Sequence, residues 1–226
     1  MSCLESYDYI IIGAGPAGIQ WGALLDHDNN HTYTILESES HAGAFFSIYP
    51  RARRLISHNR CNLGNVSDEF ALRHDWHSLL EANETFCERH KRFYPWADEF
   101  VNYLEMVASS LHVQYDQRVT NVTYTPEHAL VCTSTQCIKS RHVVIATGLS
   151  VRPSPFPLNY ANFPVLDKNE EADFCRGKRV GILGSGNAAF ETANMLKSCA
   201  RSVHILAHQT TFAALTHYPG HLRLQQ

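Results

Sequence analysis

The sequence predicts an α/β fold, a parallel sheet flanked by helices with a small antiparallel β insertion. Three observations predict it. A short apolar run ending in glycine occurs at Tyr9-Ile10-Ile11-Ile12 and again between Lys178 and Leu183. Each run is followed by a helical pattern and a second strand-like run. Between the two units, residues 112–140 hold several closely spaced β-prone runs. Continuous apolar runs of this length suit strands buried on both faces of a parallel sheet.

Taken in order, Ala17 to Asp26 places Ala17, Trp21, Leu24 and Leu25 at helical spacing and predicts the first helix. His31 to Leu36, rich in Thr, Tyr and Ile, predicts the second strand. Strand, glycine turn, helix and strand fit in about 30 residues, the size of one βαβ unit. Glu39 to Arg73 has little periodicity and is expected to be irregular. Trp96 to Leu111 predicts a helix with Phe100, Tyr103, Leu104 and Val107 on one face. Val113-Gln114-Tyr115, Val119 to Tyr124, Leu130-Val131-Cys132 and Gln136 to Ile138 predict short antiparallel strands. His142 to Ala146 predicts another buried strand, ending in Ala146-Thr147-Gly148. Prolines 153, 155, 157 and 164 exclude helix and mark a connection. A helix to about Ser198 and a strand from Ser202 to Leu206 complete the second unit. The expected domains are 1–150 with the 112–140 insertion, a Pro-rich connection at 151–177, and 178–226. That last piece reads as the first half of a second nucleotide-binding domain, incomplete at Gln226.

Composition removes several function classes. The chain has 226 residues, 44% hydrophobic and 18% charged, which is ordinary for a globular protein. A net charge of −3 gives no basic surface for nucleic acid. No apolar run approaches the roughly 20 residues of a membrane-spanning helix. The N-terminal residues show no basic segment followed by an apolar one, so no signal peptide is expected. The seven cysteines, Cys3, Cys61, Cys87, Cys132, Cys137, Cys175 and Cys199, form no Cys-x-x-Cys pair. They are expected to be scattered thiols rather than a redox dithiol. The fourteen histidines are dispersed and predict no metal site.

Chemistry concentrates in the first turn, Ile12-Gly13-Ala14-Gly15-Pro16-Ala17-Gly18. Gly13 lets the chain turn sharply from strand to helix. Gly15 lets backbone approach a pyrophosphate, and Gly18 lets helix and strand pack closely. Helix N-termini carry unpaired N–H groups and partial positive charge, so the phosphates need no lysine. Glu37 follows Gly18 at the end of the second strand, where a carboxylate accepts hydrogen bonds from ribose hydroxyls. Gly13, Gly15, Pro16, Ala17, Gly18 and Glu37 therefore form a Rossmann-like dinucleotide site. In the second unit Gly184, Gly186 and Ala189 take the matching places. There the strand ends Leu206-Ala207-His208-Gln209, without the acid expected for NAD. A carboxylate there would repel a 2′-phosphate, so the sequence favours NADPH. His208 is a candidate for holding that phosphate, with an exposed loop histidine as the alternative.

Two glycine fingerprints separated by a mixed insertion and an Ala-Thr-Gly strand end resemble two-dinucleotide flavoproteins of the flavin-containing monooxygenase-like branch. Ala44 to Arg51, Arg54-Leu55-Ile56-Ser57, Leu72-Arg73-His74-Asp75-Trp76 and Thr216-His217-Tyr218 are more specific. They resemble FAD-dependent oxidoreductase-domain proteins associated with degradation in the endoplasmic reticulum. The similarity runs from about Tyr7 to Arg223. The resemblance implies FAD on the first unit and NADPH on the second. It implies that Gly43 and Phe46 lie under the flavin and that Val119 sets its backbone beside the adenine. It implies that Ala146, Thr147 and Gly148 close over the cofactor, and that Gly184, Gly186 and Asn187 meet the nicotinamide dinucleotide. Asn59 is the one candidate for a residue facing the flavin, and the catalytic residues are otherwise unknown. The implied function is an NADPH-dependent flavin oxidoreductase, monooxygenase-like in one version. The alternative is a non-catalytic flavin- or partner-binding module. The resemblance also implies the endoplasmic reticulum lumen and partners in the degradation machinery, with the cytoplasm as the alternative. Arg51, Arg53 and Arg54 are candidates for phosphate contact or a solvated loop. Trp76 and Trp96 are expected to be core anchors, and Glu88 to Arg92 an exposed helix end.

Overall fold

The computed structural model describes residues 5–50, 52–55, 67, 79–80, 84–149 and 175–207. Arg51, Asn59, Trp76 and His208 lie outside the described residues. Two compact units divide the chain, one of Met1–Ser47 with Ser57–Ser150 and one of Ile48–Ile56 with Val151–Gln226.

In the first unit the elements are β1 (Ser6–Ile12), α1 (Pro16–Asp28), β2 (Tyr33–Leu36), α2 (Ala44–Ile48), α3 (Phe86–Arg89), α4 (Ala97–Ala108), β3 (Val113–Gln114), β4 (Val119–Tyr124), β5 (Ala129–Thr133) and β6 (Cys137–Ile145). They form one six-stranded sheet in the order β3-β2-β1-β6-β5-β4. β1 pairs in parallel with β2 and with β6, so Ile12 lies between Leu36 and Ile145. The ends of three strands thus meet at the turn that follows β1.

Two sequence expectations are corrected here. β3 pairs in parallel with β2, so it belongs to the nucleotide-binding sheet and not to an antiparallel insertion. The expected strands at Gln136–Ile138 and His142–Ala146 are one strand, β6. It pairs antiparallel with β5 from Cys137 to Ser140 and parallel with β1 from Lys139 to Ile145. The insertion therefore extends the sheet instead of forming a separate layer. The physical reason lies at Ser140, which is polar and broke the apolar pattern. Ser140 is 1% exposed, and its hydroxyl donates to the His142 carbonyl at 2.6 Å, so the strand continues through it.

Strand alternation sends Ile11 and Ile35 to one sheet face and Ile10 and Leu36 to the other. Ile10 and Leu36 pack with Val131 and Ile138 of the β5–β6 hairpin. α1 covers the opposite face, and its buried residues are Gly18, Ile19, Gly22, Ala23 and Leu25. Trp21 (44%) and Leu24 (38%), two of the apolar residues whose spacing predicted the helix, are exposed. Small residues replace them at the contact. A Cβ on Gly22 would lie 2.7 Å from Ile35 Cδ1, so the helix rests close on β2. α4 buries Phe100, Tyr103, Leu104 and Val107, the face read from the sequence. α2 was expected to be irregular. Glu88 caps α3 from within, since its carboxylate accepts from the Thr85 N–H at 2.7 Å. Trp96 precedes α4 and is half-buried.

The second unit repeats the opening topology. β7 (Arg179–Leu183), α5 (Asn187–Leu196) and β8 (Ser202–Leu206) follow in order, with β7 and β8 parallel. Among the described residues no helix is long and apolar enough to cross a membrane.

Candidate functional site

The turn after β1 is built by steric necessity. Gly13 takes φ +105°, a region L side chains rarely adopt. A Cβ there would lie 2.6 Å from the Ala146 carbonyl oxygen at the end of β6. Its N–H donates to the Leu36 carbonyl at 2.8 Å and binds the turn to β2. Gly18 is tighter, because its Cβ would fall 1.9 Å from the Gly13 carbonyl oxygen. These two glycines serve the fold.

Gly15 differs. It is the N-cap of α1 with φ −78° and ψ −178°, ordinary extended backbone. A Cβ on it would meet nothing within 4 Å. It makes no side-chain cap, and Pro16 at the first helical position has no N–H. The Ala17 and Gly18 N–H groups, at the second and third positions, are left to an external acceptor.

A cavity of about 670 Å³ opens on this helix end. Gly13, Gly15, Pro16 and Ala17 line it, as do Glu37, Gly43 and Phe46. Val119, Ala146, Thr147 and Gly148 complete the sequence-named residues around it. Gly18 lies beneath, buried against Gly13. A volume of this size falls in the range of small-molecule and cofactor sites. A second cavity of about 620 Å³ lies where β2 and β3 begin, lined by Tyr7, Asp26, His31 and His112 among others. It has no glycine turn or helix N-terminus, so the first cavity is the dinucleotide candidate.

Glu37 anchors one end. It is 8% exposed. One carboxylate oxygen accepts the Ala14 N–H at 2.6 Å, and the other accepts the Glu39 N–H at 2.9 Å and the Ser38 hydroxyl at 3.1 Å. The Ala14 bond aims the carboxylate along the glycine turn. The oxygen bound to Ala14 keeps a lone pair that a further donor can use. The Gly43 N–H donates to the Ala14 carbonyl at 2.9 Å, so the segment carrying Phe46 is tied to the same turn. Gly43 takes φ +67°. Phe46 stands edge-on to Phe100 at 5.0 Å, which roots it in α4.

Sequence reasoning missed Gln117 and Arg118, which also line the cavity. Arg118 bridges to Glu39 at 3.0 Å across 79 residues, a pairing no local pattern reveals. The cysteine expectation is corrected as well. Cys132 and Cys137 are joined in a disulfide, and Cys87 is disulfide-bonded too. Cys132 and Cys137 are opposed across the β5–β6 hairpin, a spacing the Cys-x-x-Cys search does not sample.

The second glycine turn copies the first. Gly184 takes φ +109°, and its N–H donates to the Leu206 carbonyl at 2.9 Å. Gly186 caps α5 with φ −81° and ψ 178°, again without a side-chain cap. Neither glycine's Cβ would meet anything within 4 Å among the described residues. Asn187 is the first residue of α5. Ala189 stands where Gly18 stands in the first unit and is 8% exposed.

The pyridine nucleotide-disulphide oxidoreductase family signature matches residues 10–223. Two proteins named FAD-dependent oxidoreductase domain-containing protein 2, from Mus musculus and Danio rerio, are each 36% identical over 96% of the chain. The chain spans 34% and 33% of their own lengths, about a third of the curated relatives it matches. A flavin-containing monooxygenase from Stenotrophomonas maltophilia superposes with a TM-score of 0.65 at 20% identity, over 93% of this chain and 61% of that one. The structure of the OTEMO complex with FAD and NADP superposes with a TM-score of 0.62 at 18% identity, over 88% and 38%. At these identities the superpositions speak for the fold.

Proposed function

The chain belongs to the pyridine nucleotide-disulphide oxidoreductase family, and we propose that it binds FAD at the first glycine turn and NADPH at the second, as a flavin oxidoreductase. One observation carries this reading. The uncapped end of α1, the buried Glu37 carboxylate and the segment from Gly43 to Phe46 all open on one cavity. The residues fit the group. Gly15 leaves a cradle a side chain would enter, and the Ala17 and Gly18 N–H groups receive phosphate oxygens. Glu37 accepts from the ribose. Bound flavin supplies the hydride chemistry, while the protein supplies binding and orientation.

NADPH rather than NADH is supported by a residue-level correspondence between the units. Gly13 donates to Leu36 and Gly184 donates to Leu206, so Glu37 and Ala207 are equivalent. A carboxylate at this place accepts a 2′-hydroxyl and repels a 2′-phosphate. Ala207 does neither.

The test is the visible spectrum of the purified full chain. We expect flavin absorbance that bleaches under anaerobic conditions on adding NADPH, with NADH less effective. A preparation that takes up no added FAD refutes the first half of the reading. NADH binding as tight as NADPH binding refutes the second. Oxygen uptake driven by NADPH tests a monooxygenase-like route for the electrons. We also propose the endoplasmic reticulum lumen as the compartment. The Cys132–Cys137 disulfide supports it, since disulfides persist in oxidising compartments. A full-length tagged protein that fractionates with the cytosol refutes it.

A further inference from the structure

Gln117, which lines the cavity, is held from the β5–β6 hairpin. Its carboxamide oxygen faces three donors from the tip of the β5–β6 hairpin. These are the Thr135 hydroxyl at 3.1 Å, the Thr133 hydroxyl at 3.2 Å and the Gln136 amide at 3.4 Å. The donor directions follow from the local bonding. The Thr133 oxygen accepts the Thr135 and Gln136 N–H groups, both at 3.2 Å, so its proton is left to give. The Gln136 amide also donates to Gln114 at 3.0 Å. On the other side, the Gln117 N–H donates to the Glu37 carbonyl at 2.7 Å. Gln117, Arg118 and Val119 line the cavity on the Glu37 side. The Gln117 side chain is thus held by the hairpin tip, while its backbone N–H holds the main chain of Glu37, whose carboxylate faces the cavity.

The hairpin tip is itself held by unusual means. Thr133 and Gln136 close it through a 2.8 Å hydrogen bond. No residue from 133 to 136 takes a positive φ. The turn is therefore not of the primed types that match strand twist. What fixes it is the Thr133 hydroxyl and the Cys132–Cys137 disulfide immediately below. Both cysteines are only half-buried, within reach of a small thiol.

We propose that Gln117 is a positioning residue for the adenosine end of the site, and that the Cys132–Cys137 disulfide makes its grip thiol-sensitive. The proposal rests on the FAD reading above. An external dithiol supplies the reaction. The Cys132–Cys137 bond breaks, its two sulfurs take up two electrons and two protons, and the dithiol leaves as its own disulfide. The hairpin tip then loosens its three contacts with the Gln117 side chain, the Gln117 backbone is held less firmly against the main chain of Glu37, and the adenosine half is held less well.

Binding of FAD, ADP and FMN is measured on the full chain for wild type, Gln117→Ala and the double variant Cys132→Ser with Cys137→Ser. Each is tested with and without dithiothreitol. Loss of the Gln117 contacts weakens FAD and ADP by about tenfold. FMN, which lacks the adenosine half, keeps its affinity. Dithiothreitol weakens FAD binding to wild type several-fold and leaves the double variant, already weakened, unchanged. Equal loss of ADP and FMN affinity in Gln117→Ala overturns the positioning role, because a general folding defect gives that pattern. A dithiothreitol effect that persists in the double variant assigns it to Cys87 and overturns the disulfide role. Unchanged FAD affinity in both variants overturns the whole proposal while leaving the proposed function standing. A wild-type protein that takes no FAD sinks the reading beneath it instead.

Discussion

Gly15→Val separates binding from folding. The site contains three glycines in six residues, and most substitutions there would damage both. Gly15 is the exception. Its backbone is extended, and a Cβ on it meets nothing within 4 Å. Replacing glycine at a compatible backbone position stabilises by about 0.4–1 kcal/mol through the unfolded chain. Losing glycine as an N-cap costs a similar amount, about 0.5–1 kcal/mol. The two offset, so the thermal midpoint of the apoprotein should move by no more than about 4 °C. Binding behaves differently. On the proposed FAD reading, the valine side chain enters the cavity where a pyrophosphate would approach the Ala17 and Gly18 N–H groups. Two charge-assisted hydrogen bonds are worth about 1.5–3 kcal/mol each, so the FAD dissociation constant should rise by roughly 10²- to 10⁴-fold. The assay pairs flavin titration by fluorescence quenching with a melting curve of the apoprotein. Stoichiometric flavin in Gly15→Val, with affinity within about threefold of wild type, would show that no phosphate rests at this helix end.

The neighbouring positions test the rest of the argument. Gly18→Ala places a Cβ against the Gly13 carbonyl oxygen, so it should destabilise the apoprotein by about 1–3 kcal/mol, read as a lower urea midpoint. An unchanged midpoint would mean that the turn is slack. Glu37→Gln keeps the shape but turns one acceptor into a donor, and should weaken FAD about tenfold while FMN is spared. Ala207→Glu places in the second unit the acid found in the first, and should lower the preference for NADPH over NADH at least about tenfold. A preference that does not move would place the 2′-phosphate elsewhere. Tyr103 and Tyr33 are each pushed up to about 12 by burial, which disfavours the phenolate. Their folded values lie above the unfolded value near 10, so this contribution is complete below pH 10 and is lost as pH rises from 10 to 12. Stability should fall there by up to about 1.4 kcal/mol per pH unit for each tyrosine. Tyr103→Phe should lessen that slope in urea melts, and a slope equal to wild type would refute the assignment.

What the sequence disclosed, and what it concealed, divides along physical lines. The geometry of the glycine turn and the place of Glu37 beside it were legible because they depend on local backbone conformation and fixed spacing. The α4 face was legible because large apolar side chains pack it at helical period. The α1 face misled for the opposite reason. Its buried residues include Gly18, Gly22 and Ala23, with Gly22 against Ile35 of β2, whereas the large apolar Trp21 and Leu24 are exposed. β6 was split in two because Ser140 breaks the apolar run, although its hydroxyl finds a backbone acceptor. Gln117, Arg118 and the Cys132–Cys137 pair were invisible to motif search. Their partners are set by strand register and by contacts such as the Arg118–Glu39 pair, which spans 79 residues and which only the folded chain defines.

The two glycine turns also show which features specify a ligand and which specify a fold. Both units share a positive-φ glycine bonded to the end of the next strand, at 2.8 and 2.9 Å, and an uncapped glycine N-cap. These features suffice to present backbone N–H groups to a phosphate, and they are blind to which dinucleotide brings it. Discrimination must then come from what differs. The first unit follows its strand with buried, hydrogen-bonded Glu37, whose backbone carbonyl accepts from the Gln117 N–H. The second follows its strand with Ala207, which has no side-chain group to bond a hydroxyl or repel a phosphate. The third glycine also changes, to Ala189, whose methyl is accommodated in a buried position. The Gly18→Ala prediction tests whether that difference belongs to packing. In the first unit an added methyl meets a carbonyl oxygen, whereas the second already carries one. If Gly18→Ala left stability intact but altered FAD affinity, the third glycine would belong with the ligand-reading features instead.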